Sequence, residues 1–181
     1  EFIQPFTQEY DASNERNALP VDISKSIKRG SGYLRMSTPY TNYPDWTIEL
    51  WMSTKSKNFQ WLSACDNISE ILVLNNGSLS YGGNSYLLDS TEMSHIAISQ
   101  KGNGFVEVYQ DGKLLGRDNN GITNTKIPIQ YIGTDVSWGA ANLEEELAMV
   151  RVWSEARTAK QIQSDMSKKY LSDADNLLDE W

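Results

Sequence analysis

The chain has 181 residues, about one domain's worth, and its 39% hydrophobic and 22% charged residues make a globular composition. No apolar run approaches the roughly 20 residues that span a bilayer, so membrane insertion is excluded. Twenty-four acidic against sixteen basic side chains leave a net charge of −8, a field that repels phosphate backbones, so no nucleic-acid partner is expected.

The first thirty residues are polar and irregular, with Val21-Asp22-Ile23 as a candidate edge strand. From Gly32 to Trp153, short apolar alternations separated by Gly, Asn, Asp and Ser predict half-buried strands at regular spacing. They fall at residues 33–36, 46–53, 59–64, 68–74, 78–82, 85–88, 95–100, 105–110, 113–116, 130–133 and 146–153. In 46–53, Trp46, Ile48, Leu50 and Met52 share one face, the expected core face, while Thr47, Glu49 and Trp51 share the other. Asp111-Gly112 supplies the positive φ angles of a two-residue hairpin turn, and Lys101-Gly102-Asn103-Gly104 links the preceding pair into a three-strand meander. After Trp153 the period changes. Thr158-Ala159-Lys160-Gln161 forms a capping box, and Ile162, Met166 and Tyr170 form one stripe on a helix of about three turns. The expectation is an all-β fold: a two-sheet antiparallel jelly-roll sandwich with one short C-terminal helix packed on it.

Five phrases in order carry a resemblance: Trp46-Thr47-Ile48-Glu49-Leu50-Trp51-Met52, Ser94-His95-Ile96-Ala97-Ile98, the hairpin from Val106 to Gly116, Tyr131-Ile132-Gly133, and Met149-Val150-Arg151-Val152-Trp153-Ser154 running into Ala156-Arg157-Thr158. Together they resemble the laminin-G-like, pentraxin-related modules of the concanavalin A-like lectin/glucanase superfamily, in particular the bacterial secreted kind. The resemblance covers Gly32 to about Tyr170. It implies a jelly-roll sandwich that binds glycans or proteins through rim loops or a concave face. The closing strand departs from the family's acidic pair, with Ala148 and Met149 in its place, so a family calcium site is not expected.

Catalytic patterns are absent from the sequence. The Glu-x-Asp-x-x-Glu strand of laminarinase-type relatives has no counterpart, since Glu144, Glu145 and Glu146 are contiguous and the middle one points away from its neighbours on a strand. The one histidine, His95, lies at a strand start without a Gly-x-Ser-x-Gly elbow elsewhere, and Cys65 reads as a small apolar side chain. One Cys and one His cannot build a nitrogen–sulfur zinc cage, and no Asp-x-Asp-x-Asp-Gly pattern specifies calcium at Asp135 or at Asp66-Asn67. No cofactor is specified, and calcium at these carboxylate-bearing loops is left open.

What remains is recognition by aromatic faces beside polar side chains, the combination that holds sugar rings. Trp138, on the polar loop from Thr134 to Asn142, is the first candidate, with Asp135 and Asn142 as companions. Tyr81, Asn84 and Tyr86 around Gly82-Gly83 form the second, and the loop from Pro39 to Asp45 is similar in kind. Trp46, Trp51, Trp61 and Trp153 read as packing residues. The expected function is a non-catalytic carbohydrate-binding or adhesion module. The alternative is a structural or protein-interaction domain packed against a neighbouring catalytic domain. The partner is accordingly a glycan or a neighbouring domain, and the location extracellular, periplasmic or cell-surface. The opening Glu1-Phe2-Ile3-Gln4-Pro5 has no leader pattern and the chain closes on Trp181, so residues 1–181 are expected to be a single domain excised from a larger protein.

Overall fold

The computed structural model describes residues 34–35, 40–55, 60–64, 72–89, 93–119, 127, 129, 131–132, 147–168, 171 and 174–180, with the backbone alone for 34–35, 60–64, 72–73 and 131–132. Among the described residues, twelve strands and one helix follow in order: β1 Leu34–Arg35, β2 Trp46–Met52, β3 Gln60–Ala64, β4 Leu72–Asn75, β5 Ser78–Tyr81, β6 Asn84–Leu87, β7 Ser94–Gln100, β8 Val106–Gln110, β9 Lys113–Asp118, β10 Tyr131–Ile132, β11 Leu147–Trp153, α1 Ala159–Asp165 and β12 Leu177–Glu180. Sheet one runs β1-β10-β3-β4-β5-β6 and sheet two β12-β11-β2-β7-β8-β9. Every pairing is antiparallel. This is the expected two-sheet sandwich.

Local chemistry sets the hairpins. Three two-residue turns carry positive φ at both central residues: Asn76-Gly77 (50° and 74°), Gly82-Gly83 (59° and 82°) and Asp111-Gly112 (49° and 71°). Such turns match the right-handed twist of the strands they join. The last also locks β7 to its neighbour, because Asp111 Oδ1 accepts from the His95 amide at 2.9 Å while the Asp111 amide donates to His95 O at 2.8 Å.

The inner faces meet in one core. Trp46, Ile48, Leu50 and Met52 of β2 pack with Ile96 and Ile98 of β7, Val106 and Val108 of β8, Val150 and Val152 of β11, and Leu74, Leu79 and Tyr81 of sheet one. Ile127 and Ile129, outside every expected strand, are also fully buried there. The two sheets are pinned at both ends. At the Trp46 end, Tyr81 Oη donates to Gln100 Oε1 at 2.6 Å and its ring meets Trp46 edge-on at 5.7 Å. At the Met52 end, Thr54 Oγ1 and Gln110 Nε2 both donate to the Asp89 carbonyl, at 2.8 and 3.0 Å.

Alternation alone would leave the second face of β2, β7 and β11 exposed, yet all three strands are buried at every residue. The cover is the chain from Ser154 to Lys168. Its helix opens with the expected capping box, Thr158 reciprocated by Gln161, and buries Ile162 against Ala97 and Tyr109. It has seven residues, about two turns rather than three. Beyond Asp165, the carbonyls of Met166 and Lys168 bond to side chains of the sheet below. β12, absent from the sequence reading, pairs with β11 as an edge strand. Val21–Ile23, Cys65, residues 68–71 and Tyr170 lie outside the described residues.

Gly112 and Gly83 share a positive φ but not a neighbourhood. A Cβ on Gly112 would sit 2.5 Å from Gln163 Cγ of α1, whereas one on Gly83 meets nothing within 4 Å. Gly83→Ala is expected to cost about 1 kcal/mol from backbone strain alone. Gly112→Ala should cost more and lower the protection of α1, measured by urea unfolding and amide hydrogen exchange.

Candidate functional site

Among the described residues, a cluster of buried ionisable side chains lies between sheet two and α1. β2 supplies Glu49, β7 His95, β11 Arg151, and the segment before the helix Arg157, all at 3% exposure or less. Glu49 is held on both oxygens: His95 Nε2 donates to Oε2 at 3.1 Å and Arg157 Nη1 to Oε1 at 2.6 Å. Arg157 continues to Asp165 on α1, lies 3.7 Å over the Trp153 ring, and donates its amide to Thr47 Oγ1 at 2.8 Å. Arg151 reaches the carbonyls of Asp165 (2.8 Å) and Lys168 and the Glu180 carboxylate (2.5 Å), while Trp51 Nε1 donates to Met166 O at 2.9 Å. Sheet side chains thus take over carbonyls that the end of a helix leaves without partners.

Burial by itself pushes the Glu49 carboxyl up, but the hydrogen bond and charge of His95 and the charge of Arg157 outweigh it and hold it below the ordinary glutamate value. Asp165 follows the same pattern, with burial outweighed by hydrogen bonds from Lys168 and Arg157. A histidine beside a carboxylate has the makings of acid–base chemistry. Here both have zero exposure, and no substrate reaches them in this conformation. The cluster fastens the helix to the sheet. Among the described residues, no three His, Cys, Asp or Glu side chains come together in a way that could hold a metal ion.

The residues singled out from the sequence separate. Register places Tyr81 opposite Asn84 and Leu79 opposite Tyr86, which puts all four on the inner side of the β5–β6 hairpin. Tyr81 is 2% and Tyr86 8% exposed, and a Cβ on Gly116 would lie 2.9 Å from the Tyr86 ring. Both tyrosines are core residues with no ring face open to a ligand, which corrects the expectation of a binding pair; only Asn84, beside the turn, is partly exposed. Trp46, Trp51 and Trp153 are buried as expected. Trp138, Asp135, Asn142 and Glu144–Glu146 lie outside the described residues. Of the strands flanking that segment, β10 runs toward the Met52 end and β11 begins there, while the Gly82-Gly83 turn is at the Trp46 end beside Gln100.

The sealed charge layer was missed as a unit because its members are scattered from Glu49 to Glu180. Its one local sign is Arg151-Val152-Trp153 followed by Arg157, two cations flanking a buried strand end.

The family model described as the concanavalin A-like lectin/glucanase superfamily, a laminin-G type, matches residues 28–163. Among solved structures, a candidate carbohydrate-binding protein of Bacteroides ovatus superimposes with a TM-score of 0.68 at 18% identity, over 86% of this chain and 50% of its own. The heptameric SAP-like pentraxin of Limulus polyphemus gives 0.57 at 17% identity, over 73% and 74%. The binding domain of botulinum neurotoxin serotype D gives 0.56 at 13% identity, over 77% and 41%. At such identities the likeness is one of fold, and the chain spans half the length of the Bacteroides protein. No curated protein sequence matches the chain.

Carboxyls whose folded pKa is depressed add stability above their unfolded values and lose it as pH falls through the folded ones. Glu49 and Asp165 both move that way, so urea stability should fall on acidification through and below the ordinary carboxylate range. Glu49→Gln takes from Arg157 the most deeply buried of the carboxylates bonded to it and leaves Asp165 nearer the surface. It should cost about 3–5 kcal/mol at neutral pH and flatten the acid limb.

Proposed function

The chain belongs to the concanavalin A-like lectin/glucanase superfamily, and from that membership we propose that it is a non-catalytic carbohydrate-binding or adhesion module of a secreted or cell-surface protein. The observation that carries the reading is the fold match to the candidate carbohydrate-binding protein of Bacteroides ovatus, half of whose length the chain spans. A half-length match suits one module of a longer protein. Fold alone does not assign function, so the reading needs the chemistry as well. The buried acid–base pair is committed to holding α1, which agrees with a non-catalytic module. No helix among the described residues is long and apolar enough to cross a membrane.

In this proposal Trp138 is the stacking platform, with Asp135 and Asn142 bonding to sugar hydroxyls. Calcium is not required at the closing strand, because Ala148 and Met149 sit there in an apolar cluster with Trp51 and Met93. The position offers no carboxylate ligand for a hard cation.

A glycan array probed with the full chain, with calcium and again with chelator, tests the reading. The expected result is retention of one saccharide class in both conditions. Trp138→Ala should weaken that retention with an unchanged melting temperature. Loss of binding in chelator would overturn the calcium-free reading. Silence from a folded domain would favour a protein-interaction role.

A further inference from the structure

The loop from Tyr40 to Asp45 and the β7–β8 turn from Lys101 to Phe105 meet at the Trp46 end of the sandwich. A Cβ on Gly102 would lie 2.8 Å from Pro44 Cβ, and the Gly102 amide donates to Asp45 Oδ1 at 2.9 Å, so the two loops abut and brace each other. The rest of the rim is similarly held. Tyr40 Oη donates to Asp179 Oδ2 of β12 at 2.7 Å, and its carbonyl accepts from the Ile127 amide at 3.1 Å. On the turn, Asn103 Oδ1 accepts from the Phe105 amide at 3.1 Å, and Lys101 Nζ lies 5.6 Å over the Phe105 ring.

This rim presents aromatic surface together with polar groups. Tyr40 and Tyr43 both pack against the core yet remain partly exposed, with ring centroids 6.3 Å apart at 76°. The two rings pack edge to face on each other, and the ring surface they leave exposed is of the kind that meets a sugar C–H face. Asn42 stands between them, exposed, with φ at 69°. Asn adopts a left-handed backbone more readily than most residues, as Asn76 and Asn176 also do here, and its amide side chain both donates and accepts.

We propose that this rim, formed by Tyr40, Asn42 and Tyr43 with Lys101 and Phe105 beside them, is a binding site for a pyranose unit of a neutral oligosaccharide. The proposal rests on the carbohydrate-binding reading above and names a site for it at the end opposite the one where β11 begins. The choice of a neutral ligand rests on the net −8 of the chain, which disfavours uronic or sialic acids, while within the rim the Lys101 ammonium and the Asp45 carboxylate offset each other. Binding needs little rearrangement, since the hydrogen bonds described already hold both loops in place.

Isothermal titration of the full chain with neutral gluco-, manno- and xylo-oligosaccharides, and with an oligogalacturonate as the acidic counterpart, provides the test. Asn42→Gly removes the amide while suiting a positive φ, so the fold should persist. Tyr43→Ala removes one of the two rings. Each is expected to weaken binding of a neutral oligosaccharide at least fivefold with α1 and the sheets unchanged by circular dichroism. Parental affinity in Asn42→Gly would overturn the proposal, and if Trp138→Ala then abolishes binding, the carbohydrate reading stands without this site. Preference for oligogalacturonate would overturn it too. Binding to no saccharide would remove both the reading and the site.

Discussion

The buried pair between Arg157 and Glu49 is the constraint on which one side of this sandwich depends. A sheet that presents Glu49, His95 and Arg151 on one face cannot leave them dry and unpaired, because an isolated buried charge costs several kcal/mol. The chain that follows β11 answers that demand in order: Arg157 neutralises Glu49, Asp165 meets Arg157, the carbonyls of Asp165 and Lys168 meet Arg151, and Glu180 completes the Arg151 shell. The helix is therefore held by polar geometry as much as by the burial of Ile162. Such a layer defines where the helix sits more sharply than an apolar contact would, since charges tolerate few alternative partners.

That arrangement divides the molecule. One face of sheet two is committed to the C-terminal segment, and the hairpin turns and longer loops lie at the ends of the sandwich. The ends differ in kind. The Trp46 end is braced by hydrogen bonds between loops and shows partly exposed tyrosines. At the Met52 end, Thr54 and Gln110 fasten Asp89, and β11 begins there. A rigid scaffold with variable loops at its ends is a common way for one fold to serve many ligands.

Much of the architecture was legible locally. Period-two alternation located the strands, and Asp111-Gly112 declared its turn because few residues tolerate positive φ twice in succession. β12 was not legible. Leu177-Leu178-Asp179-Glu180 has weak strand character, and its acidic residues make sense only with Tyr40 and Arg151 at hand. The Tyr81 and Tyr86 expectation failed for a related reason: two tyrosines around a glycine turn look alike whether the hairpin faces solvent or a second sheet. Ile127 and Ile129 join the core from outside any expected strand, and their alternation across Pro128 was the available sign.

By itself, then, the sequence determined the all-β class, the hairpins and the start of the helix at Thr158, because each depends on residues close together in the chain. Only the tertiary structure decided which faces were dry, which aromatic rings were open, and that residues as distant as Glu49, His95, Arg157 and Asp165 form one network. Those outcomes depend on what packs against what. Alternation marks two faces of a strand but does not say whether a neighbour covers the second.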